Sequence, residues 1–435
     1  MTAVLDATAG VDVASGAVEK AAALGADEVQ VSHVFSDLFE ITYDKTDVTM
    51  VRTTVEDQVS ITVYVGSAKG QASLTGRAPD LVDQGVREAI AAAQAGLADP
   101  ANGVTSGPPT ERTERGDREP DKDSMLDVVV RHQQHMCETY PAIVMRDSTY
   151  QFRNTWRSFA NSAGVRHQER RSGYAATSIF SAREGAKATS FNYTSAAAPT
   201  PFAELIEVAT LRDLLDATLR SLEPKAVPGT FVGDVIFTPD SLGTLLEPVI
   251  QALSGYTLMK GTSPFQDALG ATIAAPMLTV ASRPCSTDFL APSFDGDGVP
   301  SSNLSIIAKG ALENHLIDWY TSRKLDRAMT AGTTAFDVAP GDKTFDELVA
   351  STERGIILGR FSGGTPNPKL DFSGVAKNSF YVEDGQVRHA VQETMIAGNF
   401  GDLLQAIRAV GAVSVNFGGH RFPAVATSGA TISTK

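Results

Sequence analysis

From Glu28 to Val65 the chain alternates apolar or β-branched residues with polar ones almost without a break, through EVQVSHVF, LFEITYD, VTMVRTTVE and QVSITVYV. A period of two places successive side chains on opposite faces, so Glu28 to Phe35, Leu38 to Asp44, Val48 to Glu56 and Gln58 to Val65 are predicted as half-buried antiparallel strands. Helical spacing brackets them. Val13, Ala17, Ala21 and Leu24 precede, with Gly25 placed as a C-cap. Gly66 to Gly70 reads as a hairpin turn, and Leu81, Val86, Ile90 and Ala93 mark a helix over Pro79 to Gly96. Strands flanked by helices predict an α+β layer.

The stretch from Ala101 to Ser124 loses apolar periodicity and reads as a solvated linker or mobile loop. A helix over Lys122 to Tyr140 follows. Strands are then expected around Ile143 to Phe152, Thr155 to Asn161, Val165 to Ser181 and Ala186 to Tyr193, and a helix over Pro201 to Leu222. PKAVPG, Pro224 to Gly229, ends that helix and opens a strand at Gly233 to Phe237, which sets the expected domain boundary: 1–225 as an α+β domain and 226–435 as a β-rich, barrel-like domain. In the second domain a helix is expected over Pro239 to Ser254 and a last one over Gly401 to Val410. Between them, Gly355 to Ile407 is a run of short strands and glycine turns able to shape a groove, with no nucleophile paired to a base.

A chain of 435 residues exceeds what one core usually serves, and 42% hydrophobic with 20% charged residues supplies two. A net charge of −14 without a Lys/Arg cluster argues against nucleic acid as a direct ligand. No run approaches the roughly 18 apolar residues of a membrane span. Cys137 and Cys285 are too few for a disulfide framework, so a reducing, cytoplasmic setting is expected.

Several blocks in order carry a resemblance. LGADEVQV, ITVYVGSAKGQAS, PFQDALG (Pro264 to Gly270), FDGDGVP (Phe294 to Pro300), GALENHLIDWYTSRKL (Gly310 to Leu325) and FYVEDGQVRHAVQETMIAGNFGDLL resemble the TldD/PmbA family of peptidase-like proteins. In that family the TldD type bears an HExxxH helix and a C-terminal cysteine that hold a metal, with the glutamate as general base. Here the matching helix is TPDSLGTLLEPVIQALSG, and Glu247, Pro248 and Ala252 occupy the motif positions; no cysteine follows Cys285. The resemblance therefore implies the TldE (PmbA) type: a subunit with no metal or other cofactor of its own and no catalytic residue. It implies a TldD-like partner holding zinc or iron, or self-association as a homodimer, around a groove for a peptide or peptide-like substrate. His315, Asn399 and His420 are the groove candidates. Two other readings follow from the same resemblance: a stand-alone amidase or N-deacetylase of specialised metabolism, and a regulatory interaction protein of the gyrase-modulator kind.

Other constellations read as structural. His132 and His135 share a helix face but Cys137 lies roughly 140° around from His132, so HQQHMC is expected to be a polar, solvated face. Asp295, Asp297 and Gly298 lack the remaining ligands of a calcium loop and predict a tight turn. Asp318, Tyr320, Arg323 and Lys324 are expected in a charged strand-to-turn segment that forms salt bridges or a partner contact. His315, His389 and His420 could converge on one groove. The glycines of FGGHRF suggest a loop in close approach to another segment. GxSxG, GxxxxGK[ST] and a strand-linked GxGxxG are absent from the sequence.

Overall fold

The structure, a computed structural model, describes residues 8–108, 112–330, 333–392 and 394–434. The expected N-terminal alternation produces two long strands rather than four short ones. Helix α1 (Thr8–Ala23) leads into β1 (Glu28–Tyr43), β2 (Val48–Val65), β3 (Ala68–Thr75) and α2 (Pro79–Ala95). β1 and β2 stay in register from Glu28↔Tyr64 to Thr42↔Met50. The physical reason is parity: Val29, Val31, Phe39, Ile41 and Tyr43 are all buried odd-numbered residues, so the alternation never changes face at Ser36 and Asp37 and nothing there breaks the ladder.

Next come β4 (Thr113–Arg115), α3 (Lys122–Thr139), β5 (Ile143–Met145), β6 (Ser148–Asn161), β7 (Arg166–Glu184), β8 (Lys187–Ala188), β9 (Asn192–Ala198) and α4 (Leu211–Arg220). The first sheet has the order β3-β2-β1-β6-β7-β4, with β5, β8 and β9 also on β7. One core lies under α1 and α2, using Val29, Val31, Ile61, Val86 and Ile90. A second, at the other end of the same long strands, gathers Ile41, Tyr43, Met125, Val129, Tyr150 and Leu215 under α3 and α4. The helix expected over 201–222 is only a short turn at Leu205–Glu207 followed by α4, interrupted where Ala209 takes a positive φ of 49°.

The 101–124 stretch is tied down at its start and again at β4, while most of its other described residues, among them 106–108, 116–119 and 121–124, are exposed to solvent as expected. Val104 N–H donates to Glu28 at 2.6 Å, Thr105 Oγ1 to the Asp297 carbonyl at 2.6 Å, and β4 pairs in parallel with β7.

The PKAVPG segment is stitched to the second sheet, Lys225 N–H donating to the Ala390 carbonyl at 2.8 Å. That sheet is built from β10 (Phe231–Phe237), β11 (Val280–Ser282), β12 (Leu304–Ala308), β13 (Ala311–Leu312), β14 (Phe336–Val338), β15 (Arg354–Leu358), β16 (Arg360–Gly363), β17 (Asp371–Lys377), β18 (Phe380–Glu383), β19 (Gln386–Ala390), β20 (Thr394–Asn399), β21 (Ile407–Asn416) and β22 (His420–Thr434). Its path, β13-β12-β11-β14-β22-β10-β15-β18-β19, is strand-rich and mostly antiparallel but does not close into a barrel. Val235 and Phe237 enter the large core with α5 (Leu242–Ala252), while Ile236 faces the opposite layer with Leu348 and Phe380. Two short helices, α6 (Gly255–Met259) and α7 (Trp319–Leu325), pack on each other. The last expected helix is short, Phe400–Gln405, because residues from Ile407 onward pair with β22.

Candidate functional site

Helix α5 forms because Leu242, Leu245, Leu246 and Val249 recur at i, i+3, i+4 and i+7, and all four are buried. This packing fixes what the motif positions can reach. Glu247 is exposed, Pro248 is half-buried inside the helix, and Ala252 is 4% exposed within the apolar core. A proline offers neither base nor ligand, an alanine methyl offers no lone pair, and a side chain at 252 enters hydrocarbon. Among the described residues no group of three or more His, Cys, Asp or Glu is arranged to hold a metal ion. These three residues of α5 do not fit the metal that the resemblance implies for the TldD type.

The three groove candidates land in different surroundings and, among the described residues, share no hydrogen-bond or ring partner. His315 is 4% exposed; its Nε2 lies 2.9 Å from the Phe265 carbonyl and its Nδ1 3.2 Å from Arg327 Nη1. Burial, above all, pushes its pKa down. It borders a cavity of about 520 Å³ with Gln266, Ile317, Arg327 and Met329. Asn399 is the N-cap of the Phe400–Gln405 helix, accepting from Gly401 and Asp402 N–H, while its amide donates to Asp371 at 2.8 Å. That is a structural cap. His420 lies between Phe417 and Phe422, ring centroids 4.8 and 4.4 Å away, and burial pushes its pKa down. His389, on β19 against Tyr381 of β18, joins none of them among the described residues.

What His420 does mark is a seam between the two sheets. Gly418, at φ 88°, lies so near Ala197 at the end of β9 that a Cβ would run into the Ala197 carbonyl. Ala197 N–H donates to the Phe417 carbonyl at 3.0 Å and Leu290 N–H to that of Gly418 at 3.1 Å. The close approach expected of FGGHRF is met. FDGDGVP forms the other half of the seam. As expected it is a turn, with Asp295 Oδ1 accepting from Asp297 and Val299 N–H at 2.9 Å each. Burial raises the Asp295 pKa. The turn is held on β6 and β7 by Arg157, whose guanidinium lies 4.4 Å over the Phe294 ring, and by His167 on the Gly298 carbonyl at 2.7 Å.

Two expectations need correcting. Asp318 to Lys324 belong to a helix, α7, because Asp318 and Thr321 close a capping box. The expected salt bridging is there: Lys324 reaches Asp99 at 2.8 Å, and Arg323 donates to the Pro100 and Asn102 carbonyls. His132 is not on a solvated face. It is 2% exposed, edge-on to the Tyr43 ring at 6.0 Å, and desolvation pushes its pKa down to about 4. Sequence spacing could not show that β1 delivers Tyr43 over that helix turn.

The whole two-sheet arrangement is shared with solved structures. A modulator of DNA gyrase from Bacteroides thetaiotaomicron superposes with a TM-score of 0.85 at 21% identity, covering 98% of each chain. TldE from Thermococcus kodakarensis gives 0.83 at 18% identity, covering 97% of this chain and 100% of its own. At such identities the likeness is one of fold, and it defines the class: two-sheet α+β proteins built like TldE.

Residues 229–434 match the family model for the PmbA/TldA metallopeptidase C-terminal domain. The chain therefore carries a PmbA/TldD family domain. Relatives similar along most of their length include Metalloprotease PmbA of Escherichia coli O157:H7, 25% identical over 367 residues (81% of this chain and 80% of that one). The Metalloprotease PmbA homolog of Haemophilus influenzae is 24% identical over 411 residues, 91% and 90% of the two chains. Among the described residues no helix is long and apolar enough to cross a membrane.

Proposed function

We propose that this chain is a TldE-like subunit: it supplies dimer surface and substrate groove, while a TldD-type partner bearing HExxxH performs the hydrolysis of amide bonds in peptides or peptide-like compounds. One observation carries the reading. The helix that would grip an ion carries Glu247, Pro248 and Ala252, with Ala252 turned into the core. The family domain over 229–434 and the TldE-like fold support it. A two-domain organisation divided near residue 225 and a cytoplasmic setting belong to the same reading.

The test is elemental analysis and peptidase assay of the pure chain, alone and after co-expression with an HExxxH homologue from the same organism. The expected result is less than a tenth of a transition metal per isolated chain, no peptidase activity alone, and activity on co-expression. About one tightly held zinc or iron per isolated chain, with peptide cleavage, overturns the proposal.

A further inference from the structure

Three sequence segments meet around the 520 Å³ cavity beside His315: Gln266 and Leu269, then His315 and Ile317, then Arg327 and Met329. The two hydrogen bonds of His315 fix its state. Nε2 faces the Phe265 carbonyl, an acceptor, so it carries the hydrogen; Nδ1 faces Arg327 Nη1, a donor, so it presents its lone pair. A neutral imidazole satisfies both bonds, and it clamps one nitrogen of Arg327. The rest of that guanidinium has no carboxylate within 4.0 Å among the described residues, although the side chain is half-buried at the cavity wall. Gln266 Oε1, on the same wall, is buried without a hydrogen-bond partner among the described residues. Ile317 is buried behind the cavity, while Leu269 and Met329 are exposed at it.

An unpaired, preorganised guanidinium asks for a carboxylate. An unpaired amide oxygen asks for an N–H, and the apolar wall asks for hydrocarbon. We propose that this cavity binds an N-acylated apolar α-carboxylate, the chemistry shared by a peptide C-terminus and an N-acyl amino acid, with Arg327 on the carboxylate, Gln266 Oε1 on the adjacent amide N–H and the side chain against Leu269, Ile317 and Met329. His315 is a positioning residue for Arg327. The exposed carboxylate of Asp267, which also borders the cavity, disfavours dianions.

The experiment is titration calorimetry on the isolated chain with N-acetyl-leucine, N-acetyl-Ala-Ala-Leu and the C-terminal amide of each. Binding of either free acid, with its amide weaker by about ten- to a hundredfold, supports the site; the tighter of the two acids identifies whether a chain end or a single acylated residue is the source. Arg327→Gln is expected to abolish acid binding. Gln266→Met is expected to weaken N-acetyl-leucine while leaving 4-methylpentanoate, which lacks the amide, unchanged. Equal affinity for acid and amide on the unmodified chain, or no saturable binding of either acid, overturns the proposal even if Arg327→Gln fails to fold. No partner and no activity enter the measurement, so its outcome is separate from that of the subunit reading.

Discussion

His132 gives the sharpest handle on how the N-terminal core responds to acid. His132 is 2% exposed, and both ring nitrogens lack hydrogen-bond partners among the described residues. Desolvation holds its pKa at about 4 in the folded chain, against about 6.5 for an unfolded histidine. The sign follows from proton counting: between those values the unfolded chain binds the proton and the folded chain does not, so stability falls as pH drops from about 6.5 to about 4. At about 1.4 kcal/mol for each pH unit the group costs on the order of 3 kcal/mol at pH 4 relative to neutral pH. Above about 6.5 it is neutral in both states and has no effect. His132→Leu, of similar volume, removes the titration while keeping the side chain apolar. Urea unfolding from pH 7.5 to pH 4 should show the wild-type curve falling more steeply than that of His132→Leu, with the gap opening below about pH 6.5. Parallel curves through that window would refute the burial argument, because a proton taken up equally by both states contributes no slope.

Other predictions rest on the seam and on α5. Gly418→Ala forces a side chain at φ 88° into the Ala197 carbonyl and should cost about 2 to 4 kcal/mol; a thermal melt within 1 °C of wild type would count against the close approach. Asp295→Ala leaves the Asp297 and Val299 N–H groups without their acceptor, about 1 to 3 kcal/mol of local stability. Hydrogen exchange should show those two amides losing protection while the β1 amides keep theirs. Restoring the motif by Glu247→His, Pro248→Glu and Ala252→His should yield no stoichiometric zinc and a destabilised protein, since position 252 opens into hydrocarbon. Tight one-to-one zinc binding by an intact, stable triple variant would show that α5 can turn that face outward.

Much of the local structure was readable because local rules were obeyed. Helix α2 follows from Val86, Ala89, Ile90 and Ala93 with Pro79 at its start, and β10 from an apolar run buried on both faces. The turn at Asp295 followed from its side chain's habit of capping backbone N–H groups. The merging of strands at Ser36 and Asp37 is not legible from polarity, because parity is the stronger signal there. At the site, His315 was noticeable as a lone histidine. Arg327 and Gln266 were not: each is ordinary in its own segment, and their meaning comes from an unpaired group facing a shared cavity.

The sequence alone determined the alternation that makes the sheets, the helix periods, and the identities of Glu247, Pro248 and Ala252 on α5, since side-chain identity sets which atoms can donate a lone pair. Tertiary structure decided the rest: that Ala252 points into the core, that Tyr43 shuts water away from His132, that Gly418 touches Ala197, and that Gln266 comes to share a cavity wall with His315 and Arg327. Burial and charge compensation are properties of neighbours in space, and no one-dimensional spacing carries them.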